Sequence, residues 1–137
     1  MPRLSADAVD TVRVAIESSG ALDRPKLVIP EGTMPEGIVR VEADDRTYHA
    51  RVEVGLGGDL EVRGLYDNPR LAREGGGENH LETWVERAGL DAGRTALLDV
   101  VVDGEQYGLR APGHGAVYEI VDRPDESLAS IAEDLDG

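Results

Sequence analysis

The sequence lacks cysteine and phenylalanine, and its only lysine is Lys26. Without cysteine the chain forms neither a disulfide nor a thiolate metal site. It also lacks any apolar run of roughly 18 residues, the length that a membrane-spanning helix needs. The opening residues, MPRLSADAVD, do not show the basic segment followed by an apolar stretch that marks a signal peptide. Together these absences predict a soluble, cytoplasmic protein.

The residues that are present are strongly acidic. Across 137 residues, 28 acids face 14 bases, which leaves a net charge of −14. An acid-rich composition with almost no lysine suggests adaptation to molar salt, where repulsion between like charges is screened. The same screening weakens both the repulsion of an acidic protein from nucleic acid and the attraction of a basic patch to it. The acidity is therefore only a weak argument against nucleic-acid binding.

Charge is distributed unevenly along the chain. Residues 38–73 contain six arginines against seven acids, whereas residues 111–137 contain one base, Arg123, against seven acids. We expect a negatively charged partner to meet the middle of the chain. A protein partner would instead meet the acidic tail, residues 122–137, or the loop at residues 68–80.

Alternation of apolar and polar residues dominates the pattern and predicts strands. Residues 5–17 also fit a helical face, but their β-branched content favours a strand. Similar runs separated by turn sequences recur up to residue 121. A chain of this length forms one domain, so we predict a mainly β, single-domain pseudobarrel of about seven strands with one short helix near residues 80–88. Residues 1–10 would form an N-terminal lead, residues 11–121 the barrel and residues 122–137 an acidic tail.

The run HLETWVERAGL predicts the single helix. Leu81, Trp84 and Val85 recur with helical spacing. Asn79 is a candidate N-cap, and Gly89 ends the helix. The preceding run, DNPRLAREGGGENH, is rich in Gly, Asn and Pro and predicts a long loop. This loop carries a secondary polar site made of Arg70, Arg73 and Asn79.

Two of the predicted strands form a hairpin around the turn sequence GLGGD. In its predicted register Val54 lies opposite Leu60. The same register places Arg51 opposite Arg63, and like charges directly opposite each other destabilise a sheet. The two arginines are therefore expected either to meet an external anion or to have acidic neighbours such as Glu53 and Glu61.

The order of the segments resembles a known family. The run IESSGALDRPKLVIPEGTMPEG reads as a strand, a polar arm with serines and bases, and a returning strand of the form basic-Leu-Val-Ile-Pro, here Lys26 to Pro30. An aromatic-bearing strand from Tyr48 to Val54, a hairpin, and a helical segment with Trp84, Leu90 and Gly93 follow. Over residues 11–121 this order resembles the DNA-binding pseudobarrel of plant transcription factors and restriction-enzyme effector domains. The chain also resembles small acidic haloarchaeal proteins of no assigned function.

The resemblance implies two arms that grip the major groove of duplex DNA. The second arm would be the hairpin from Arg51 to Arg63, whose tip, residues 55–59, carries no side chain that reads a base. Hydroxyl and basic groups suit phosphates, and arginine also bonds guanine through two hydrogen bonds. The predicted function is a non-catalytic module that binds duplex DNA in a high-salt cytoplasm. Its expected DNA-binding residues are Ser18, Ser19, Arg24 and Lys26 in the first arm, and Arg51 and Arg63 in the second.

The sequence offers little support for a metal site, a phosphate-binding loop or a catalytic site. The histidines, His49, His80 and His114, lack the close spacing of a metal site, so no metal is expected. The Gly-rich segments carry no GxxxxGK phosphate loop, and no nucleophile–base pair can be picked out. We therefore expect no cofactor and no membrane contact. Two alternatives stay open, a protein-interaction or adaptor barrel and, more weakly, a small hydrolase.

Overall fold

Nine strands and two α-helices occupy most of the residues that the structure, a computed structural model, describes: 3–19 and 24–119. A single turn of 3-10 helix covers Ala6–Ala8. The helices are α1, Pro69–Glu74, and α2, Leu81–Arg87. The strands are β1, Arg3–Ser5; β2, Asp10–Ser19; β3, Arg24–Ile29; β4, Gly37–Ala43; β5, Arg46–Val54; β6, Leu60–Val62; β7, Thr95–Val102; β8, Gln106–Arg110; and β9, Val117–Glu119.

Seven of the strands close into a barrel in the order β2-β3-β6-β5-β4-β8-β7. The pair β4–β8 is parallel, and the other neighbours are antiparallel. Strands β1 and β9 form a separate two-stranded sheet. The prediction of a mainly β, single-domain barrel of about seven strands is confirmed. The predicted acidic tail, residues 122–137, lies outside the described residues.

The barrel interior follows the alternation of the sequence. In β2, Val14 and Ile16 are buried, and in β5 the buried residues are Tyr48, Ala50 and Val52. Because β2 pairs with β3 on one side and β7 on the other, residues 10–17 of the segment that fitted either a strand or a helix form a strand, and a 3-10 helical turn, Ala6–Ala8, precedes them. Its β-branched residues suit a pleated surface that is buried on one face.

Helix α1 lies where a loop was predicted, so the prediction of a single helix is wrong. The side chain of Asn68 accepts a hydrogen bond from the Leu71 N–H over 2.8 Å, and Pro69 occupies the first helical turn. Gly75 ends the helix at a φ of 72°, and its N–H donates to the Leu71 carbonyl over 2.8 Å. Asn followed by Pro is a helix-start signal, so Pro69 and Gly75, two of the residues that suggested a loop, instead mark the two ends of a helix.

Helix α2 confirms the helix predicted near residues 80–88. Its N-cap residue is His80, one position after the predicted Asn79, and the His80 side chain makes no capping bond. Asn79 nevertheless contributes, because its Oδ1 accepts from the N–H of Leu81 over 3.0 Å. Gly89, at a φ of 71°, follows the last turn as predicted. Leu81, Trp84 and Val85 are buried and close the core.

The β5–β6 hairpin has the predicted register, with Val54 opposite Leu60 and Val52 opposite Val62. The returning strand is shorter than predicted, because β6 ends at Val62. Arg63 therefore follows the last residue of β6 and lies outside the β5–β6 ladder. Among the described residues, no helix has the length and hydrophobicity that a membrane crossing requires.

Candidate nucleic-acid interface

Strands β3, β6 and β5 lie side by side and form one wall of the barrel. The inward positions of β3 hold Leu27 and Ile29, which are fully buried. Because successive side chains point to opposite faces of a sheet, Arg24 and Lys26 lie on the outer face. The same alternation places Arg51 on the outer face of β5. The tertiary structure thus gathers predicted site residues from separate parts of the sequence on one surface.

Five charged side chains on this wall form one network, which we call the charged cluster. Glu61 lies between two bases: its Oε2 is 3.1 Å from Lys26 Nζ, and its Oε1 is 2.7 Å from Arg63 Nη2. Glu53 also lies between two bases, with 3.6 Å to Arg63 Nε and 3.5 Å to Arg51 Nε. Of the two situations expected for the hairpin arginines, the structure shows the one with acidic neighbours. The charged cluster holds three bases against two acids.

The side chains of the charged cluster differ in their exposure to solvent. The side chains of Lys26 and Glu61 are 16% and 15% exposed, whereas those of Arg51 and Arg63 are 54% and 52% exposed. The hydrogen bond from Lys26 and the charges of Lys26 and Arg63 lower the pKa of Glu61, although its burial acts the other way. About half of each arginine side chain is therefore exposed to solvent.

The secondary polar site contacts the charged cluster through the backbone. Arg51 Nη1 donates to the carbonyl of Arg73 over 3.3 Å. Asn79 Nδ2 donates to the carbonyl of Arg63 over 2.9 Å, and its Oδ1 accepts from the Leu65 N–H over 3.1 Å. A cleft of about 140 Å³ separates the cluster from α1. Two sites that the sequence suggested separately therefore adjoin on one face.

The remaining predicted residues lie at the edges of this face. Arg24 is exposed at the start of β3 and lines a pocket of about 280 Å³ together with Asn79. Arg70 forms an ion pair within its own helix, in which its Nη1 lies 3.6 Å from Glu74 Oε2. Ser18 is opposite Pro25, and Ser19 is opposite Arg24, at the end of the β2–β3 ladder. The tip of this first arm, residues 20–23, lies outside the described residues.

The two implied arms leave opposite ends of β3. The first arm precedes Arg24, whereas the hairpin tip approaches the other end, where Ile29 pairs with Leu60. At that end a Cβ on Gly58 would lie 3.4 Å from the Glu31 carboxylate. The basic side chains therefore come together along the wall between the two arms.

Arg40 and His49 lie next to the charged cluster but were not among the predicted site residues. Arg40 of β4 is directly opposite His49 of β5. Burial, followed by the charge of Arg40, lowers the pKa of His49, so the imidazole is neutral at neutral pH. Their outward positions follow from the same alternation that identified Arg51, and this signal could have located them.

Among the described residues, no group of three or more His, Asp or Glu side chains is arranged to hold a metal ion.

Comparison with known proteins places the chain in a family. No curated protein and no solved structure matches the chain. A family model, described as a family of unknown function (DUF7112), matches residues 1–135, and the chain belongs to that family.

Proposed function

We propose that this protein is a non-catalytic module that binds the phosphate backbone of duplex DNA in a salt-rich cytoplasm. One observation carries the proposal: on a chain with a net charge of −14, the wall of β3, β6 and β5 is locally basic. Its carboxylates are Glu53 and Glu61. Its bases are Arg24, Lys26, Arg51 and Arg63.

The exposed guanidinium groups supply the contacts in this proposal. Arg51 and Arg63 are both held by Glu53, so less side-chain freedom is lost when they meet a phosphate. Arginine presents several donors in a fixed fork, so a guanidinium can keep its carboxylate and still donate to a phosphate oxygen. In molar salt the screening length is about 3 Å, so direct contacts of this kind, and not long-range attraction, would carry the affinity.

The proposed contacts are to phosphates and not to bases. The major groove admits an α-helix or a two-stranded β-ribbon, and a wall of three strands in a closed barrel is wider than either. The hairpin tip adds three glycines, Leu56 and Asp59, none of which presents a basic or amide group to a base edge. We expect affinity that varies little with DNA sequence and falls as salt rises.

The test is binding of a fluorescently labelled duplex, followed by anisotropy over a series of KCl concentrations at which circular dichroism shows an unchanged fold. The double variant Arg51→Ala/Arg63→Ala should bind more weakly by at least about tenfold. Each lost phosphate contact should reduce the slope of log K against log [salt] by about 0.9. A second double variant, Arg24→Ala/Lys26→Ala, should show the same trend.

A matched control separates a specific face from simple charge. Arg13→Ala/Arg94→Ala removes two exposed arginines that lie outside strands β3, β6 and β5, and it should bind like the wild type. Loss of affinity equal to that of the wall variants would mean that only total charge matters. Absence of measurable binding by the wild type at every salt concentration would refute the proposal.

A second candidate, a protein-interaction module, is favoured by one observation at the hairpin tip. Leu56 is fully exposed and Val54 is half-exposed, and neighbouring exposed apolar side chains suit a protein partner. Cross-linking in cell extract should then capture a partner with the wild type and lose it with Leu56→Ser. DNA binding should be unaffected by Leu56→Ser, so the two readouts distinguish the candidates.

A further inference from the structure

A cavity with no role in the proposed DNA contact lies where α2, the β4–β5 turn and the segment after β8 meet. Its volume is about 260 Å³, roughly nine times the 30 Å³ that a water molecule occupies in the liquid. Trp84 and Leu109 contribute apolar surface to it, and both side chains are otherwise buried. A cavity of this size and lining has room for a small organic molecule.

The charged groups around the cavity are predominantly acidic. Its lining includes the carboxylates of Glu42, Asp44 and Asp45 and the guanidinium groups of Arg87 and Arg110. Each guanidinium group is already paired with a carboxylate. Arg87 Nη1 lies 3.1 Å from Asp44 Oδ2. Arg110 Nε lies 2.8 Å from an oxygen of Asp99, a carboxylate buried behind the cavity wall. Four carboxylates therefore surround two cations, and the excess charge at the cavity is negative.

Among the carboxylates at the cavity, Asp45 contributes least to holding the fold. Asp44 and Asp45 form the two-residue β4–β5 turn, and both have positive φ values, 52° and 64°. Such turns favour Asn-Gly or Asp-Gly, so the turn does not need a carboxylate at its second position. Asp44 binds Arg87, but Asp45 makes no hydrogen bond or ion pair with any residue of the described ranges. Its exposed carboxylate is available to a ligand at the cavity.

From this geometry we infer that the cavity binds a small alkyl diammonium ion, with one ammonium group at Asp45 and its methylene chain towards Trp84. A carboxylate supplies the charge complement, and an indole in the lining of the same cavity favours both a cation and the methylene groups next to it. Neither the acidic side chains nor the indole belongs to the charged cluster. The inference is therefore independent of the proposed DNA contact, and either can fail without the other.

Tryptophan fluorescence tests this inference directly, because Trp84 is the only tryptophan in the chain and it lines the cavity. The full chain is titrated with 1,4-diaminobutane at a fixed KCl concentration, and the heat of binding is measured in parallel by calorimetry. We expect a saturable change of emission and a matching binding isotherm. The uncharged analogue 1,4-butanediol, of the same length, should produce neither.

Two variants assign the effect to the cavity. Asp45→Asn should raise the dissociation constant for 1,4-diaminobutane at least about tenfold, since it removes the charge and keeps the shape of the turn. Asp59→Asn, which removes a carboxylate in the β5–β6 hairpin turn, should leave the constant unchanged. Equal weakening by both variants, an equal response to butanediol, or the absence of saturation in both fluorescence and heat would overturn the inference.

Discussion

Glu61 Oε2 accepts a hydrogen bond from Lys26 Nζ over 3.1 Å, across the β3–β6 ladder, and both side chains are largely shielded from solvent. The only lysine of the chain is thus neutralised within the wall that carries the proposed DNA contacts. The other oxygen of Glu61 meets Arg63, so a single carboxylate restrains two bases. This arrangement makes Glu61 the most informative residue of the surface.

Glu61→Gln should strengthen DNA binding if the proposed interface is correct. The substitution keeps the size of the side chain and a hydrogen-bond acceptor, but it removes the charge that competes with phosphate. One additional phosphate contact would steepen the slope of log K against log [salt] by about 0.9. The measurement is the same anisotropy titration, with Glu86→Gln, an exposed glutamate of α2, as the matched control. Unchanged binding by Glu61→Gln would argue against a contact at this wall.

The same carboxylate predicts part of the dependence of stability on pH. Lys26 and Arg63 lower the pKa of Glu61 from its ordinary value of 4.5, so the folded state binds this proton less readily than the unfolded chain. The associated stability is fully present above the ordinary glutamate pKa and is lost as the pH falls below it, towards the lower folded-state pKa. The free energy of unfolding, measured by urea denaturation between neutral and acidic pH, should fall less steeply for Glu61→Gln than for the wild type. Parallel curves would contradict the ionic role assigned to Glu61.

A buried network around Asp99 should contribute strongly to stability. Asp99 is fully buried, and its carboxylate accepts from Thr11 Oγ1 over 2.6 Å, from Arg110 Nε over 2.8 Å and from Tyr118 Oη over 2.5 Å. Burial and the neighbouring Asp99 raise the pKa of Tyr118, so its hydroxyl remains a donor. Arg110→Met strands a buried carboxylate and should cost about 3–5 kcal/mol. Tyr118→Phe removes one bond and should cost about 1–3 kcal/mol, and chemical denaturation measures both.

Gly108 should resist substitution because of Tyr118. A Cβ at position 108 would overlap the ring of Tyr118, which lies against the β8 backbone beside Asp99. Gly108→Ala should therefore lower the free energy of unfolding by about 1–3 kcal/mol, the usual cost of overpacking. In the double variant Gly108→Ala/Tyr118→Ala the overlap disappears, so its loss should be smaller than the sum of the single losses. Simple additivity would show that the two residues do not interact.

The helical segments show what the sequence could and could not reveal. The period of Leu81, Trp84 and Val85 identified α2 because those side chains cover the core on one face. Helix α1 buries only Ala72, so it carries almost no periodic signal. Its start is instead encoded in the Asn68 cap and Pro69, a local signal that the surrounding glycines obscured.

The cavity beside Trp84 could not be predicted from the sequence. The sequence showed Trp84 as a buried helix residue, but not that the β4–β5 turn lies beside it. Asp44 and Arg87 are far apart in the sequence and come within 3.1 Å only in the folded chain. Without the fold, the acids at this site could not be distinguished from the many other acids on the surface.

By itself, the sequence determined most of the barrel strands and which of their faces is buried, because the side-chain period of a strand is a local property of the chain. It also determined the register of the β5–β6 hairpin, which a short turn sets locally. The tertiary structure alone decided that β3 lies beside β6, that β4 pairs in parallel with β8, and that β9 leaves the barrel to join β1. Those pairings bring Glu61 between Lys26 and Arg63. They depend on how all the buried faces pack together, and no local pattern records that choice.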